Sequence, residues 1–312
     1  MLDKAPNDVA QRSGVLAGVA AYSLWGLFPL VFHRLQGVGA TEVLWHRILW
    51  SLVVVLGVLA WRGPRGWLRP LLADRPQLAR LASASVFIAC NWLLYIWAVN
   101  HGHVVEAALG YYINPLLTVA LGVVLLGERL RRAQVVALAF GAASVTVLSM
   151  AYGRLPWIAL VLAMSFAGYG FQKKSVTIGA APSLVVETAL LAPIALIALT
   201  VAELQGTAAF GHSSLGRNAL LLSLGVVTAG PLLLFAVAAR RMPLSMLGLL
   251  QYLTPTGQLL CGVLVLGEAL PPERLVGFLL VWIALLVLAT DAIATARRRG
   301  PSASVLPVQE PT

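Results

Sequence analysis

Charged residues are scarce in this 312-residue chain: they make up 11% of it, while 59% of the residues are hydrophobic. About a quarter of the residues of a soluble globular protein are charged, so this composition excludes a surface that faces water throughout. The sequence therefore predicts a protein whose main surrounding is lipid, where each helical crossing takes about 20 apolar residues.

Cysteine is rarer still, with two residues in the whole chain. Cys90 and Cys261 both lie inside apolar runs, with no Cys-x-x-Cys spacing and no cluster of cysteine with histidine. We therefore expect no disulfide framework and no metal site. The sequence also lacks the motifs of nucleotide-binding loops, serine hydrolases and zinc proteases. It predicts no enzyme, no cofactor and no ATP-driven pump.

The chain consists mainly of ten apolar runs, each long enough to cross a bilayer. We predict spans at 14–32, 41–61, 78–99, 104–126, 133–150, 155–172, 183–203, 216–238, 244–266 and 274–294. The first run is too long for a typical signal peptide, so it is interpreted as an uncleaved membrane helix. The residues 297–312 show no periodicity and are predicted to form a disordered cytoplasmic tail.

The second half of the chain repeats the first with an offset of 140 positions. Tyr112-x-x-Pro115 recurs as Tyr252-x-x-Pro255, and the Gly-Glu pair at 127–128 recurs at 267–268. Because each repeat holds five spans, an odd number, the second copy must enter the membrane from the opposite side. The predicted fold is all-α: a polytopic membrane protein of ten transmembrane helices in two inverted five-helix repeats, 14–150 and 155–294. Such repeats are the architecture of many alternating-access carriers.

Basic residues predict the orientation of these spans. With the N-terminus in the cytoplasm, 17 Lys and Arg residues lie in the inner segments and 4 in the outer ones, with Arg47 left inside a span. Lys and Arg favour the cytoplasmic side, so both termini are predicted there, in the inner membrane of a bacterium. Since the basic residues stand at span ends, the net charge of +10 does not indicate nucleic acid. The lipid bilayer is the expected partner.

Two prolines at equivalent repeat positions predict a binding site. Pro115 follows Asn114 in the fourth span, and Pro255 follows Thr254 in the ninth. Proline frees a backbone carbonyl one turn earlier, and paired interruptions of this kind point to the binding site of a carrier. The alternative is a kink satisfied by the Asn and Thr side chains themselves. Nearby residues that can stack or hydrogen-bond with a ligand are Tyr111, Tyr112, Gln251 and Tyr252.

Ionisable residues inside spans are costly and indicate function. The candidates are Arg47, Glu106 and Glu187. Arg47 is predicted either to anchor an anionic group of the substrate or to be neutralised by Glu42, Glu106 or Glu187. For Glu187 and Glu106 we predict proton coupling, because burial favours the protonated form of a carboxyl group. A direct pair of Arg47 with Glu187 would require tilted helices.

The runs AYSLWGLFPL (21–30), HRILWS (46–51), NWLLYIWAVN (91–100) and EAALGYYINPLL (106–117) resemble the RarD branch of the EamA family of drug/metabolite transporters. The two Gly-Glu pairs are typical of the wider family. This resemblance implies a ten-helix inner-membrane carrier of small organic molecules and favours export. It also implies that spans 1–4 and 6–9 line a central cavity, with spans 5 and 10 behind them.

Together these observations predict a secondary transporter of a small organic metabolite or drug, for instance an amino acid or a related amphipathic compound. The predicted substrate-binding residues are Tyr22, Trp25, Arg47, Asn91, Tyr95, Tyr112, Asn114, Tyr169, Gln251, Tyr252 and Thr254. Two alternatives stay open. An intramembrane enzyme would need Glu106, Glu187 and a histidine in one cleft. A membrane scaffold that does not transport would have an apolar centre.

Overall fold

The structure, a computed structural model, describes residues 5–62, 66–126, 130–173, 176–241 and 250–299. Every regular element in these ranges is helical, which confirms the all-α prediction. Glu128, the first glutamate of the repeated Gly-Glu pair, lies outside the described residues. So do residues 300–312 of the predicted tail, whose residues 297–299 belong to the last helix.

Short connections join the helices along the chain. The helices are α1 (Ala5–Gly26), α2 (Phe28–His33), α3 (Ala40–Arg62), α4 (Leu68–Ala73), α5 (Arg75–Asn100), α6 (Val104–Leu126), α7 (Arg132–Tyr152), α8 (Trp157–Lys173), α9 (Ala180–Leu204), α10 (Leu215–Arg241), α11 (Leu253–Leu260) and α12 (Pro272–Arg299). A short π-helix, Cys261–Val265, continues α11.

Eight helical stretches of the described chain are long and apolar enough to cross a membrane. They coincide with the predicted spans 1 to 5, 7, 8 and 10. Helix α8 is shorter, with 17 residues, and Leu253–Val265 is a shorter apolar stretch. The first part of the predicted ninth span, 244–249, lies outside the described residues. Eight of the ten spans are thus supported, and spans 6 and 9 stay predictions.

Polar contacts between loops and helix termini define two ends of the helix bundle. At one end, which we call the His101 end, the contacts join Gln36 to Asn100, Glu42 to Ala209, Glu106 to Arg154 and Glu268 to Val104. At the opposite end, the Lys173 end, they join Ser13 to Arg241, Gln77 to Thr177 and Arg131 to Asp291. The long helices therefore run alternately up and down between the two ends.

Helices α7 and α12 pack against each other at the edge of the bundle. They are the least buried of the eight candidate spans: 22% of the apolar stretch of α7 and 28% of that of α12 are buried inside the protein. The other helices form the interior, where α1 packs on α10 and α11, α8 packs on α5 and α6, and α3 packs on α9 and α10. The largest apolar core contains Phe32, Leu44, Ile96 and Leu162, all buried.

Candidate functional site

Arg47 lies in the interior of the bundle with 3% of its surface exposed. Its Nε donates a hydrogen bond to Oγ1 of Thr228 on α10 at 3.0 Å. The guanidinium carbon lies 3.9 Å from the centre of the Trp92 ring and 5.4 and 5.5 Å from those of Phe28 and Phe32. Because the face of an aromatic ring attracts a cation, these three rings partly compensate the buried charge.

No carboxylate of the described residues forms a salt bridge with Arg47. The three glutamates considered in the sequence analysis are engaged elsewhere: Glu42 with the amides of Ala209 and Phe210, Glu106 with Arg154, and Glu187 with Lys173. A guanidinium has five N–H donors, and in the described residues one of them has a hydrogen-bond partner. The other four have no hydrogen-bond partner among the residues that the structure describes.

Asn91 connects three helices. Its side-chain amide donates to the carbonyl of Leu162 and to Oγ of Ser165 on α8, both at 3.0 Å. Its Oδ1 accepts a hydrogen bond from the Tyr111 hydroxyl of α6 at 3.0 Å. Neighbouring helices thus supply the partners of this predicted substrate-binding residue, so in this conformation Asn91 acts as a structural link.

Seven side-chain polar atoms of the described residues are buried without a hydrogen-bond partner there, and three of them are the Tyr95 hydroxyl, Oδ1 of Asn114 and Oε1 of Gln258. The other four are Nε2 of His46, Oγ of Ser51, Oδ1 of Asn100 and Nε of Arg274. The Tyr95 ring packs against Phe32 at 5.9 Å and against Tyr111 at 5.7 Å between ring centres. Buried polar groups are nearly always satisfied in folded proteins. Three unsatisfied ones on α5, α6 and α11 therefore indicate a place where a ligand or water completes the hydrogen bonding.

The break between α1 and α2 is stabilised by α11. Proline has no backbone N–H, so Pro29 leaves the carbonyl of Trp25 without its helical partner. Nε2 of Gln258 lies 3.5 Å from that carbonyl oxygen, and Sγ of Cys261 lies 3.7 Å from the carbonyl oxygen of Gly26. Oγ1 of Thr254, a predicted binding residue, donates to the carbonyl of Tyr22 at 3.0 Å.

Tyr22 and Trp25 form an aromatic cluster with Phe235 of α10. The ring centres of Tyr22 and Trp25 are 5.5 Å apart, and both are 6.0 Å from that of Phe235. This cluster lies toward the Lys173 end from the rings around Arg47, because α1 runs from the Lys173 end toward Phe28. Both predicted residues thus lie where α1 packs on α10.

The paired prolines lie where α6 meets α11. Pro115 is inside α6 and Pro255 is in α11. The Tyr112 hydroxyl and Oγ1 of Thr256 are 2.7 Å apart and share a hydrogen bond between the two helices. Gln251 and Tyr252 are half-buried at the start of α11. Oδ1 of Asn114, next to Pro115, has no hydrogen-bond partner in the described residues.

Glu187 on α9 is 1% exposed and belongs to a compact polar cluster. Its Oε1 accepts hydrogen bonds from Lys173 Nζ and Ser183 Oγ, both at 2.7 Å, and its Oε2 accepts one from the Tyr169 hydroxyl at 3.2 Å. Lys173 also contacts Ser183. Two predicted site residues, Tyr169 and Glu187, are therefore joined here, with Lys173 as the counter-charge.

Glu106 is 2% exposed and lies at the His101 end. Arg154 binds both of its oxygens, at 3.2 and 2.7 Å, and the amide of Ile158 donates to Oε1 at 3.2 Å. The hydrogen bond to Glu106 raises the pKa of Arg154, which lies in the loop before α8. Glu106 thus connects the first turn of α6 to the first turn of α8.

Sequence reasoning missed three partners of the candidate site. Thr228 is a single hydroxyl in an apolar run, 181 positions from Arg47. Lys173 was assigned to an inner loop, although α8 includes it and its amine reaches Glu187. Gln258 was not singled out either, although an amide inside an apolar span is a signal in itself, because it needs hydrogen-bond partners in lipid.

Comparison with known proteins identifies relatives along the whole chain. Residues 12–150 match the model of the EamA-like transporter family. Protein RarD of Streptomyces exfoliatus is 50% identical over 316 residues, which cover 99% of both chains. A protein of Pseudomonas aeruginosa named as an uncharacterized transporter is 43% identical over 288 residues, 92% of this chain and 96% of that one.

One solved crystal structure resembles the fold, with a TM-score of 0.58 and 22% sequence identity. The superposition covers 90% of this chain and 98% of the other. At that identity the likeness concerns the arrangement of the helices alone.

Proposed function

The chain belongs to the EamA family of transporters as a RarD-type member, and from this premise we propose that it exports a small organic solute by alternating access. The solute would bind in the centre of the helix bundle, between the helices that carry Arg47, Tyr95 and Asn114. Relatives named as transporters support the class of activity. The solute, the direction and the mechanism are our proposal.

The packing of the helices supports two inverted repeats of five spans, 14–150 and 155–294. If the second repeat is equivalent to the first, exchanging the two should leave the set of packed helix pairs unchanged. The packing of α1 on α11 then corresponds to that of α8 on α6, and the packing of α1 on α10 to that of α8 on α5. All four pairs occur. A carrier built in this way switches by rocking one repeat against the other around a fixed site.

The charge distribution supports an orientation with the His101 end outside. Lys and Arg accumulate in loops that connect to the Lys173 end, and such loops remain in the cytoplasm. Both termini would then be cytoplasmic, in the bacterial inner membrane. A single cysteine introduced at Gln205, an exposed residue at the end of α9, in a variant without Cys90 and Cys261, tests this: a membrane-impermeant maleimide should label it in intact spheroplasts.

The observation that carries the proposed transport is the polar centre of the bundle. Arg47 has four N–H donors without partners in the described residues, and three buried polar atoms of Tyr95, Asn114 and Gln258 are unsatisfied. A scaffold that only holds helices together would fill this region with apolar side chains. A carrier needs polar groups here that hydrogen-bond with its substrate, since each unsatisfied group in a membrane is costly.

The same contacts favour a carrier over an intramembrane enzyme. General acid–base catalysis needs its groups within hydrogen-bond reach of one reacting atom. Glu106 binds Arg154 at the His101 end, while Glu187 binds Lys173 on the far side of the bundle. In the described residues no histidine forms a hydrogen bond or salt bridge with either carboxylate, although His103 lines the same cavity as Glu106.

Glu187 is our proposed proton-coupling residue, and Glu106 is a second one. Protonation of the Glu187 carboxylate would remove the negative half of its ion pair with Lys173 and weaken the link between α8 and α9. Protonation of Glu106 would do the same to the link between α6 and α8. The Glu106 link joins helices of different repeats, which move relative to each other when one repeat rocks against the other, and the Glu187 link holds the first two helices of the second repeat together.

Flux into proteoliposomes tests the proposal. The full chain is reconstituted and exposed to a mixture of isotope-labelled metabolites, with and without a pH gradient, beside empty liposomes. We expect uptake of a particular solute, faster with the gradient, lost in Arg47→Ala and uncoupled from the gradient in Glu187→Gln. Glu273→Gln, a change at an exposed acid of α12, is the matched control. Absence of flux for every solute would contradict the carrier.

A further inference from the structure

We propose that the polar and aromatic groups around Arg47 bind small organic monocarboxylates and discriminate against zwitterionic amino acids and neutral amides. This inference rests on the proposed function, whose substrate class it names. It departs from the amino acid that the sequence analysis offered as an example, because it follows from the charges that surround Arg47 in the fold.

The first argument is the balance of charge. Four glutamates approach the bundle interior or cap its helices, and each is engaged: Glu42 and Glu268 with backbone amides, Glu106 with Arg154, and Glu187 with Lys173. Around Arg47 the described residues provide aromatic rings and a hydroxyl but no carboxylate. One positive charge is therefore left to be neutralised, and a monoanion does this.

The second argument is the set of hydrogen-bond donors. The guanidinium keeps four N–H groups in a planar fork, which matches the two oxygens of a carboxylate. The Tyr95 ring packs against Phe32, whose ring also lies beside the Arg47 guanidinium, and the buried Tyr95 hydroxyl has no partner in the described residues. That hydroxyl can donate to the same carboxylate. A neutral amide has one oxygen where the carboxylate has two. Its N–H groups would face the N–H donors of Arg47, with which they cannot form hydrogen bonds.

The third argument concerns the rest of the ligand. Trp92, Phe28 and Phe32 surround the guanidinium, so the part of the solute next to its carboxylate meets rings. An α-ammonium group at that point would lie beside the Arg47 cation, where like charges repel strongly at low dielectric. The amide oxygens of Asn114 and Gln258 are neutral, so they offer the ammonium group a dipole but no negative charge.

Three compounds with one carbon skeleton test the selectivity: 3-phenylpropanoate, phenylalanine and 3-phenylpropanamide. Their binding to the purified full chain in nanodiscs is measured by calorimetry. We expect 3-phenylpropanoate to bind at least tenfold more tightly than the other two, which corresponds to about 1.4 kcal/mol. Equal or tighter binding of phenylalanine or of the amide would overturn the proposal, as would no binding of 3-phenylpropanoate, butanoate and 4-methylpentanoate.

Variants locate the selectivity. Arg47→Gln should abolish the preference for the carboxylate, and Arg47→Lys should keep part of it because it keeps the charge without the fork. Tyr95→Phe removes one hydroxyl and should weaken binding of 3-phenylpropanoate several-fold while leaving that of the amide unchanged. Arg34→Gln, at an exposed loop position, is the control for loss of a positive charge and should change nothing.

The outcomes separate this inference from the proposed function. Carrier flux of some other solute class, without binding of carboxylates, would overturn the substrate class and leave the carrier intact. An unchanged preference in Arg47→Gln would place the selectivity elsewhere. If Arg47→Gln does not give a folded protein, Arg47→Lys and Tyr95→Phe decide, because both keep the buried volume nearly constant.

Discussion

The carboxylate of Glu268, in the loop before α12, binds the first turn of α6: its Oε1 accepts a hydrogen bond from the amide of Val104 at 2.6 Å. Its second oxygen accepts one from the next amide at 2.8 Å. Free amides and a positive dipole end make the start of a helix a favourable position for a carboxylate. This explains a glutamate that the sequence marks by repetition: it connects two spans that lie in different halves of the chain.

Glu268→Ala should therefore destabilise the His101 end. Loss of a capping side chain costs about 1 kcal/mol, and the two amides would be left without a partner in a partly buried place. We expect a lower unfolding temperature in detergent, measured by intrinsic fluorescence. Glu273→Ala, an exposed acid five positions later, should leave that temperature unchanged; a similar loss in both variants would contradict the capping role.

The pair of Lys173 and Glu187 should show strong coupling. Removing one partner leaves a buried charge alone, which costs about 3 kcal/mol, whereas removing both leaves no charge unpaired. Lys173→Gln and Glu187→Gln should each reduce the free energy of unfolding markedly, and the double variant should be more stable than their sum predicts. The measurement is denaturant unfolding of the four proteins; additive effects would argue against an ion pair.

The helical architecture could be predicted because lipid imposes simple rules. A bilayer fixes the length and polarity of each span, so eight predicted spans recur in the structure within a few residues. The shortest helices were harder, because the helices of spans 6 and 9 in the described chain hold fewer residues than a regular span. Breaks within a span were also missed: α1 ends at Gly26, before the predicted end of the first span, and Phe28 begins a new helix.

The candidate site was predicted in its residue types and not in its contacts. Arg47 and Glu187 stand out in sequence because charges are rare in apolar runs, so both were identified. Their partners follow from tertiary packing: Thr228 reaches Arg47 from α10, and Lys173 reaches Glu187 from the end of α8. Neither pairing has a local sequence signal, and Glu187, which the sequence offered as one partner of Arg47, binds Lys173 instead.

The close contact of α1 with α11 gives a further prediction. A Cβ added to Gly257 would lie 3.0 Å from Cα of Gly26, and one added to Gly26 would lie 3.2 Å from Cα of Gly257. Both distances are tighter than most Cβ contacts and the neighbouring atom is backbone, so Gly257→Ala should push the helices slightly apart and weaken the bond of Thr254 to Tyr22. We expect lower stability and slower flux.

Gly57 is the matched control, since nothing lies within 4 Å of a Cβ built on it in α3. Because alanine has a higher helix propensity than glycine by about 1 kcal/mol, Gly57→Ala should leave stability unchanged or slightly higher. Thermal unfolding and proteoliposome flux of both variants are compared side by side. Equal behaviour of the two would mean that the glycine contact is unimportant.

The link between Asn91 and Tyr111 gives the last prediction. Tyr111→Phe removes the hydroxyl that donates to Oδ1 of Asn91, and Asn91→Ala removes the acceptor together with two bonds to α8. Hydrogen bonds between membrane helices contribute about 0.6 kcal/mol each on average, so Asn91→Ala should be the more destabilising change. In the double variant the effect of Tyr111→Phe should vanish, since its partner is already absent. A full effect of Tyr111→Phe in the Asn91→Ala background, measured as the free energy of unfolding, would mean that the hydroxyl acts on another group.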